Sequence, residues 1–229
     1  MSQLNRNINF KSYVALILLS AIWGSSFLFI KLSINSVPPS LLTFYRLFIA
    51  SIFLYFFCNR LTITKVLSDN KKLLIGIAVF GNVLPFNLIS FSEIYIDSII
   101  AATLIGTMPL FTFLISYFYF KNHKLKFLSF VGLLIGFFGM VVFINPSSLS
   151  IKANTINFSL LIILASFFYG MSANLVKKIN NHSPFEIATF STILATIISF
   201  PIFVIDLYTS TSIKNFSFVN ITMISFLSA

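Results

Sequence analysis

Seven long apolar runs follow one another along the chain, and short polar segments separate them. Each run has about the 20 residues that a helix needs to cross the hydrocarbon core of a bilayer. A helix also satisfies its backbone hydrogen bonds within the segment, as lipid surroundings require. The predicted fold class is therefore an all-α polytopic membrane protein. The runs lie at residues 13–34, 39–58, 73–92, 97–120, 127–145, 158–177 and 184–206, and an eighth starts near residue 218.

Composition excludes the other broad classes of protein. Of the 229 residues, 58% are hydrophobic and only 9% are charged, against about 25% charged in soluble domains. A water-soluble surface cannot be built from so few charges, and a disordered chain would not carry so many apolar residues. The polar segments, such as residues 59–72, are predicted to be short loops, so no separate soluble domain is expected.

Loop charges predict the orientation in the membrane. Basic residues collect in cytoplasmic loops, and an N-terminus in the cytoplasm places 11 of the 15 basic residues on that side. This distribution also explains the net charge of +10 without a nucleic-acid partner. The cytoplasmic basic residues would be Arg6, Lys11, Arg60, Lys65, Lys71, Lys72, Lys121, Lys124, Lys126, Lys177 and Lys178, while Lys31, Lys152 and Lys214 would lie outside.

An internal repeat appears when the sequence is shifted by 146 positions. The segment 20–44 then falls on 166–190 without a gap, and Trp23 meets the aromatic Tyr169. The identical pairs are Ser20 and Ser166, Gly24 and Gly170, Ser26 and Ser172, Lys31 and Lys177, Pro38 and Pro184, Thr43 and Thr189, and Phe44 and Phe190.

The repeat predicts an inverted architecture. One unit contains five spans, and because five is odd, two copies must cross the membrane in opposite senses. Such inverted repeats are typical of secondary transporters, which bind substrate between the two halves. We assign residues 13–145 to the first five-span repeat and residues 158–229 to an incomplete second repeat. Ten spans are expected and about seven and a half are present, so we expect a C-terminal truncation.

Two stretches carry further motifs, residues 21–27 with Lys31 and residues 92–110. They resemble the opening signature and the third-to-fourth span motif of the EamA-type branch of the drug/metabolite transporter superfamily. Arg46 stands where the family often has an arginine, whereas His123 replaces a glutamate that is common there. The glycine-rich fifth span is matched by Gly132, Gly136 and Gly139.

The resemblance implies two inverted five-helix bundles that export or exchange small metabolites across a bacterial inner membrane. It implies a small-molecule substrate and no cofactor, and smaller members of the superfamily make a homodimer possible. No phosphate-binding GxxxxGK[ST] motif is present, so direct use of ATP is not expected. Too few acids and histidines are present for a membrane enzyme. A truncated, non-transporting membrane protein or assembly partner is the alternative.

Two ionisable side chains near the outer ends of spans are the leading candidates for function. Charges within a bilayer are costly and often mark substrate or proton pathways. Arg46 is predicted either to face a cavity and attract a carboxylate, or to stabilise helix packing. Glu93 is predicted either to pair with Arg46 or to bind a coupling proton.

Other charged residues are given structural roles. Lys31 and its repeat partner Lys177 are expected to extend to the membrane interface. Asp97, Glu186 and Asp206 are expected to cap helices or to be solvated. The two histidines, His123 and His182, lie far apart in predicted turns, so no metal site is predicted.

The remaining candidates are uncharged, and each has two interpretations. Small polar residues in the first and sixth spans either allow close helix packing or line a substrate pathway. Amides near Pro85 in the third span either line a polar pathway or bond between helices. Pro109 is predicted to bend the fourth span, either as the kink of a gate or as a static bend. The glycines of the fifth span are predicted to pack against another helix. The uncharged candidates for the substrate pathway are Trp23, Ser25, Ser26, Asn82, Asn87, Thr107, Pro109, Ser172 and Asn174.

Overall fold

The computed structural model describes residues 10–58, 60–121, 127–144 and 155–209. Within these ranges the chain forms nine α-helices and one π-helical turn, with no strand. The helices are α1 (Phe10–Ser33), α2 (Pro39–Phe57), α3 (Arg60–Ala78), α4 (Leu84–Ser92), α5 (Ser98–Ile105), α6 (Met108–Phe118), α7 (Phe127–Ile144), α8 (Thr155–Val176) and α9 (Pro184–Thr209), and the π-helical turn is Val79–Val83.

Six helical segments of the described ranges are long and apolar enough to cross a membrane, and a shorter one, Phe127–Val142, lies within α7. The chain is therefore an all-α multi-pass membrane protein, as the apolar runs predicted. The six are Ser12–Ser33, Pro39–Phe57, Asp69–Ser92, Ser98–Phe118, Thr155–Val176 and Pro184–Tyr208. The predicted eighth run and His123 lie outside the described residues, and the inverted repeat stays a prediction.

The predicted loop at residues 59–72 is wrong in most of its length. The chain is helical from Arg60, and a non-helical backbone at Asn70 (φ −133°, ψ 23°) separates a short helix from the membrane span. Val66 explains why this polar segment packs as a helix. Its side chain is fully buried in a cluster with Leu74 of the same helix and Ile187 of α9.

The third span is irregular because proline interrupts its hydrogen bonds. Pro85 has no N–H to donate to the carbonyl group of Gly81, one turn earlier. The helix accommodates this loss with the π-helical turn Val79–Val83, directly before α4. A π turn inserts one extra residue, and such turns are frequent at functional sites.

The fourth span is divided at the predicted position. α5 ends at Ile105, Gly106 and Thr107 form a turn, and Pro109 lies in the first turn of α6. The N–H groups of Gly106 and Thr107 bond to carbonyl groups only three residues earlier, at 3.0 Å each. The break predicted from Pro109 is therefore confirmed.

Small residues bring the sixth span against the third and fourth. A Cβ atom on Gly170 of α8 would lie 2.9 Å from the backbone nitrogen of Thr112 in α6. A Cβ on Gly81 would collide with the hydroxyl oxygen of Ser172. Asn174 donates from Nδ2 to the carbonyl oxygen of Thr112 at 3.0 Å. Close backbone approach and side-chain-to-backbone bonds are the usual means of association in lipid.

Aromatic rings join the second and seventh spans. Phe44 of α2 stacks on Phe203 of α9 with ring centroids 4.2 Å apart. The start of α9 is fixed by a capping box. The Ser183 N–H donates to Oε2 of Glu186 at 2.9 Å, and the Glu186 N–H donates to Oγ of Ser183 at 3.2 Å. The capping role predicted for Glu186 is confirmed.

The packing predicted for the glycines of the fifth span is absent from the described part of the chain. A Cβ atom on Gly132, Gly136 or Gly139 would meet no other atom within 4 Å. Gly24 of α1 is equally open, although its repeat partner Gly170 has no room for a Cβ atom against the backbone of α6. Glycine spacing identifies a helix face that permits close packing, but it does not show whether another helix packs there.

Gly170→Ala is expected to destabilise the protein by about 1–3 kcal/mol, because the added methyl group would press on the backbone of α6. This should lower the melting temperature by roughly 2–12 °C, measured for the full chain in lipid nanodiscs. Gly136→Ala is the matched control and should leave the melting temperature unchanged or slightly higher. Equal effects of both substitutions would contradict the tight α6–α8 contact.

Candidate functional site

A cavity of about 270 Å³ lies among the first, second, third, fourth and sixth spans. One charged group and several polar groups face it, and aromatic and aliphatic side chains form most of its wall. Pockets for drug-sized ligands hold roughly 300–1,000 Å³, so this one suits a smaller metabolite. Its lining residues are Trp23, Ser26, Phe27, Ile30, Arg46, Gly81, Asn82, Phe86, Ile89, Ile105, Met108 and Tyr169.

Arg46 provides the charge of this cavity. It lies in α2, with its guanidinium carbon 4.1 Å from the centroid of the Phe86 ring in α4. A cation over an aromatic face is attracted by the negative face of the ring. Tyr169 of α8 lines the same cavity, and the charge of Glu93 acts on the guanidinium. Arg46 therefore faces the cavity, which is one of its two predicted roles, and it is held there by side chains of three other helices and turns.

The irregular third span presents polar and aromatic groups to the same cavity. Asn82 lies in the π-helical turn and Phe86 follows four residues later, so both lie on one face of the segment. From the opposite wall, Trp23 and Ser26 of α1 also lie one turn apart. The hydroxyl of Ser26 donates to the carbonyl oxygen of Ile22 at 2.9 Å.

Glu93 lies directly after α4 and is fully buried. Neither of its carboxyl oxygens has a hydrogen-bond partner, so no hydrogen bond joins this group to Arg46. Two positive charges nevertheless act on the carboxyl group, those of Lys31 and Arg46. A buried carboxyl group without donors is an unusual and costly arrangement.

Lys31, near the end of α1, contacts the turn between the third and fourth spans. Its ammonium group donates to the backbone carbonyl oxygens of Glu93 and of Ile96, the second at 2.9 Å. These carbonyl groups belong to the turn after α4, where a helix end leaves acceptors without intrahelical donors. Lys31 therefore connects the end of α1 to the turn that carries Glu93.

Four of the eleven predicted pathway residues meet in this cavity: Trp23, Ser26, Arg46 and Asn82. Two others form hydrogen bonds to the backbone of their own spans. Ser25 donates to the carbonyl oxygen of Ile22 at 3.0 Å, and Thr107 donates to that of Leu104 at 2.6 Å. Pro109 lies at the bend of the fourth span, Ser172 beside Gly81 of the third span, and Asn174 at the α6–α8 contact, all outside the cavity lining.

Asn87 faces a different cavity. That space, of about 420 Å³, lies on the other side of α4 between the start of α2 and the end of α9. Asn87 lies there with Ser40, whose hydroxyl donates to the carboxylate of Asp206. The Nδ2 group of Asn87 donates to the carbonyl oxygen of Val83 at 2.8 Å. The two amides of the third span thus belong to different cavities.

Sequence reasoning missed three contributors to the site: Phe86, Tyr169 and Lys31 as a partner of the α4–α5 turn. Phe86 had a usable signal, since it lies one helical turn after Asn82. Tyr169 was visible as the repeat partner of Trp23. Among the described residues, no three His, Cys, Asp or Glu side chains are grouped as metal ligands.

Comparison with models of protein families identifies the family of this chain. A model of the EamA-like transporter family matches residues 10–145, more than half of the 229 residues. The chain belongs to the EamA-like transporter family. The resemblance noted in the sequence is thereby confirmed, and the cavity around Arg46 is a feature of a member of this family.

Relatives of this EamA-like chain carry names that indicate transport. It is 35% identical over 118 residues to an uncharacterized transporter in the trpA 3′ region of Buchnera aphidicola subsp. Schlechtendalia chinensis, which covers 51% of this chain and 38% of that protein. It is 28% identical over 180 residues to the uncharacterized transporter YoaV of Bacillus subtilis, covering 74% of this chain and 58% of that protein. The chain thus spans about half the length of these curated relatives.

Lys31→Met should lower the stability of the full chain in nanodiscs by about 1–3 kcal/mol, because two carbonyl acceptors lose their shared donor. The matching control is Lys177→Met, since Lys177 is the exposed repeat partner of Lys31. Thermal denaturation should show a melting temperature lower by roughly 2–12 °C for the first variant only. A Lys31→Met protein as stable as the wild type would show that the two hydrogen bonds contribute nothing.

Proposed function

We propose that this EamA-like protein is a secondary transporter that moves a small organic metabolite across the bacterial inner membrane by alternating access. We favour export or exchange as the mode of transport, and we place the N-terminus in the cytoplasm. Family membership, membrane-length helices and the names of the relatives support transport as the general role. The cavity around Arg46 is the proposed substrate site.

The observation that carries this proposal is the guanidinium of Arg46 in a cavity within the bundle. A charged group at such a position is costly unless it has a partner or a function. Arg46 is stacked on Phe86, and a stacked guanidinium presents its N–H groups at its edge, where they match carboxylate geometry. The site therefore suits an anionic group attached to an apolar or aromatic body.

Irregular helices around the cavity support a mechanism by movement. The third span has its π-helical turn at Asn82, and the fourth span is divided next to Met108, which also lines the cavity. Discontinuous helices at the substrate site are typical of secondary transporters. The predicted repeats both contribute to the wall, because Tyr169 belongs to the second and the other lining residues to the first.

Assembly without transport is the second candidate function, and one observation favours it. The small-residue face of α1 around Gly24 is open, although the equivalent glycine in α8 is tightly packed. In that case this face would bind further helices rather than substrate.

Arg46→Gln is expected to abolish transport, because glutamine keeps hydrogen-bonding capacity but loses the positive charge that attracts an anion. The full chain would be expressed in bacterial cells, and small molecules in the medium and cytoplasm would be compared by mass spectrometry. Compounds redistributed by the wild type should return to the vector level in Arg46→Gln. Phe86→Leu, which removes only the ring beneath the guanidinium, should show a partial loss.

Lys177→Gln is the control, since it removes a cation from the exposed end of α8, outside the cavity. It should redistribute the same compounds as the wild type. All proteins must reach the membrane in equal amounts. If wild type and every variant match the empty vector under that condition, transport by this chain is excluded and the assembly role is favoured.

A further inference from the structure

We infer that Glu93 is a proton-binding site whose occupancy is linked to the binding of an anion at Arg46. This inference rests on the proposed function, because it takes the Arg46 cavity as the substrate site. It adds the coupling ion, a proton, and the residue that holds it.

The surroundings of the Glu93 side chain favour reversible protonation. The residue is fully buried, and both carboxyl oxygens have no hydrogen-bond partner. A buried carboxylate is normally paired or bonded to several donors, because water no longer solvates its charge. A neutral carboxyl group loses less free energy on burial than a carboxylate, because it carries no net charge. Intramembrane acids of this kind are recurrent members of proton pathways.

The cations near Glu93 are engaged by other groups. Lys31 of α1 binds the backbone carbonyl oxygens of Glu93 and Ile96, and Arg46 of α2 lies on the ring of Phe86. Both positive charges act on the Glu93 carboxyl group without forming a hydrogen bond to it. Asp97, four residues further along, is exposed, and Tyr169 of α8 interacts with Arg46.

Protonation of Glu93 and anion binding are linked because the Glu93 carboxylate and the incoming anion are both attracted to the guanidinium of Arg46. When Glu93 is ionised, its negative charge attracts Arg46 and partly cancels the positive charge that an incoming anion would meet. When a proton from water binds the carboxylate, an O–H bond forms and that competition ends. Each ligand must therefore raise the affinity for the other, since coupling between two binding sites is reciprocal. The cavity would then bind an anion and a proton together.

The proton site can be observed directly by infrared spectroscopy. The chain contains only five acidic residues, so pH-difference spectra of the full chain in lipid nanodiscs have few carboxyl signals. We expect the C=O band of a protonated carboxyl group at neutral pH, and its loss in Glu93→Gln. Asp97→Asn, a change at an exposed acid nearby, should leave the band unchanged. A band that persists in Glu93→Gln, or no band in the wild type, would overturn the inference.

The linkage can be measured with Trp23, which lines the cavity and is the only tryptophan of the chain. Benzoate is the probe, because it combines a carboxylate with an aromatic ring and is ionised from about pH 6 to about pH 9. In the wild type, its apparent affinity from tryptophan fluorescence should fall as the pH rises. The limit for one linked proton is about tenfold per pH unit. In Glu93→Gln the affinity should be independent of pH.

The outcomes separate this inference from the proposed function. Benzoate binding that is lost in Arg46→Gln but equally strong at every pH in the wild type would overturn the linkage and leave the Arg46 site intact. Absence of any benzoate response in the wild type would count against the anion site itself, and the linkage would fall with it. The melting temperature of Glu93→Gln, compared with that of the wild type, shows whether the variant is folded.

Discussion

Backbone hydrogen bonding in lipid is the constraint on which the rest of this structure depends. Each span must satisfy its own N–H and C=O groups, and Pro85, Pro109 and Pro201 lack an N–H to contribute. α9 continues through Pro201, whereas the helix is irregular beside Pro85 and Pro109. The chain answers with a π-helical turn in the third span and a two-residue turn in the fourth. Both irregularities adjoin residues of the Arg46 cavity, namely Asn82 and Met108. The breaks in regular helix therefore determine where polar groups reach the interior of the bundle.

Charges in this bundle are stabilised by atoms that a sequence does not reveal as partners. Lys31 is bound by carbonyl oxygens of a turn more than sixty residues away, and Arg46 is held by an aromatic face. Neither cation is hydrogen-bonded to the carboxyl group of Glu93, although both positive charges act on that group. Satisfying the cations with carbonyl groups and a ring leaves the acid without donors. The carboxyl group of Glu93 and the two cations therefore do not form the hydrogen-bonded ion pair that is usual for buried charges.

The spans could be predicted because hydrophobic length is a local property of the sequence. The importance of Arg46, Asn82, Trp23 and Ser26 could also be predicted, because a polar or bulky interfacial residue within an apolar run needs an explanation. The groups that contact these residues could not be predicted in the same way. Phe86 is one of 30 phenylalanines, and only its spacing of four residues from Asn82 distinguishes it from rings that face lipid. The glycines of α7 show the converse case, since their spacing predicted packing but no neighbour among the described residues approaches them.

The position of α4 has a mechanical consequence. Phe86 and Ile89 face the Arg46 cavity, whereas Leu84, Asn87 and Leu88 face the larger cavity between α2 and α9. At about 100° per residue these two sets occupy opposite sides of one helix, so α4 is a partition a single helix thick. Any lateral displacement of this partition that enlarges one chamber must contract the other. A compound lodged in the larger cavity would thus press α4 toward the Arg46 cavity without touching the guanidinium.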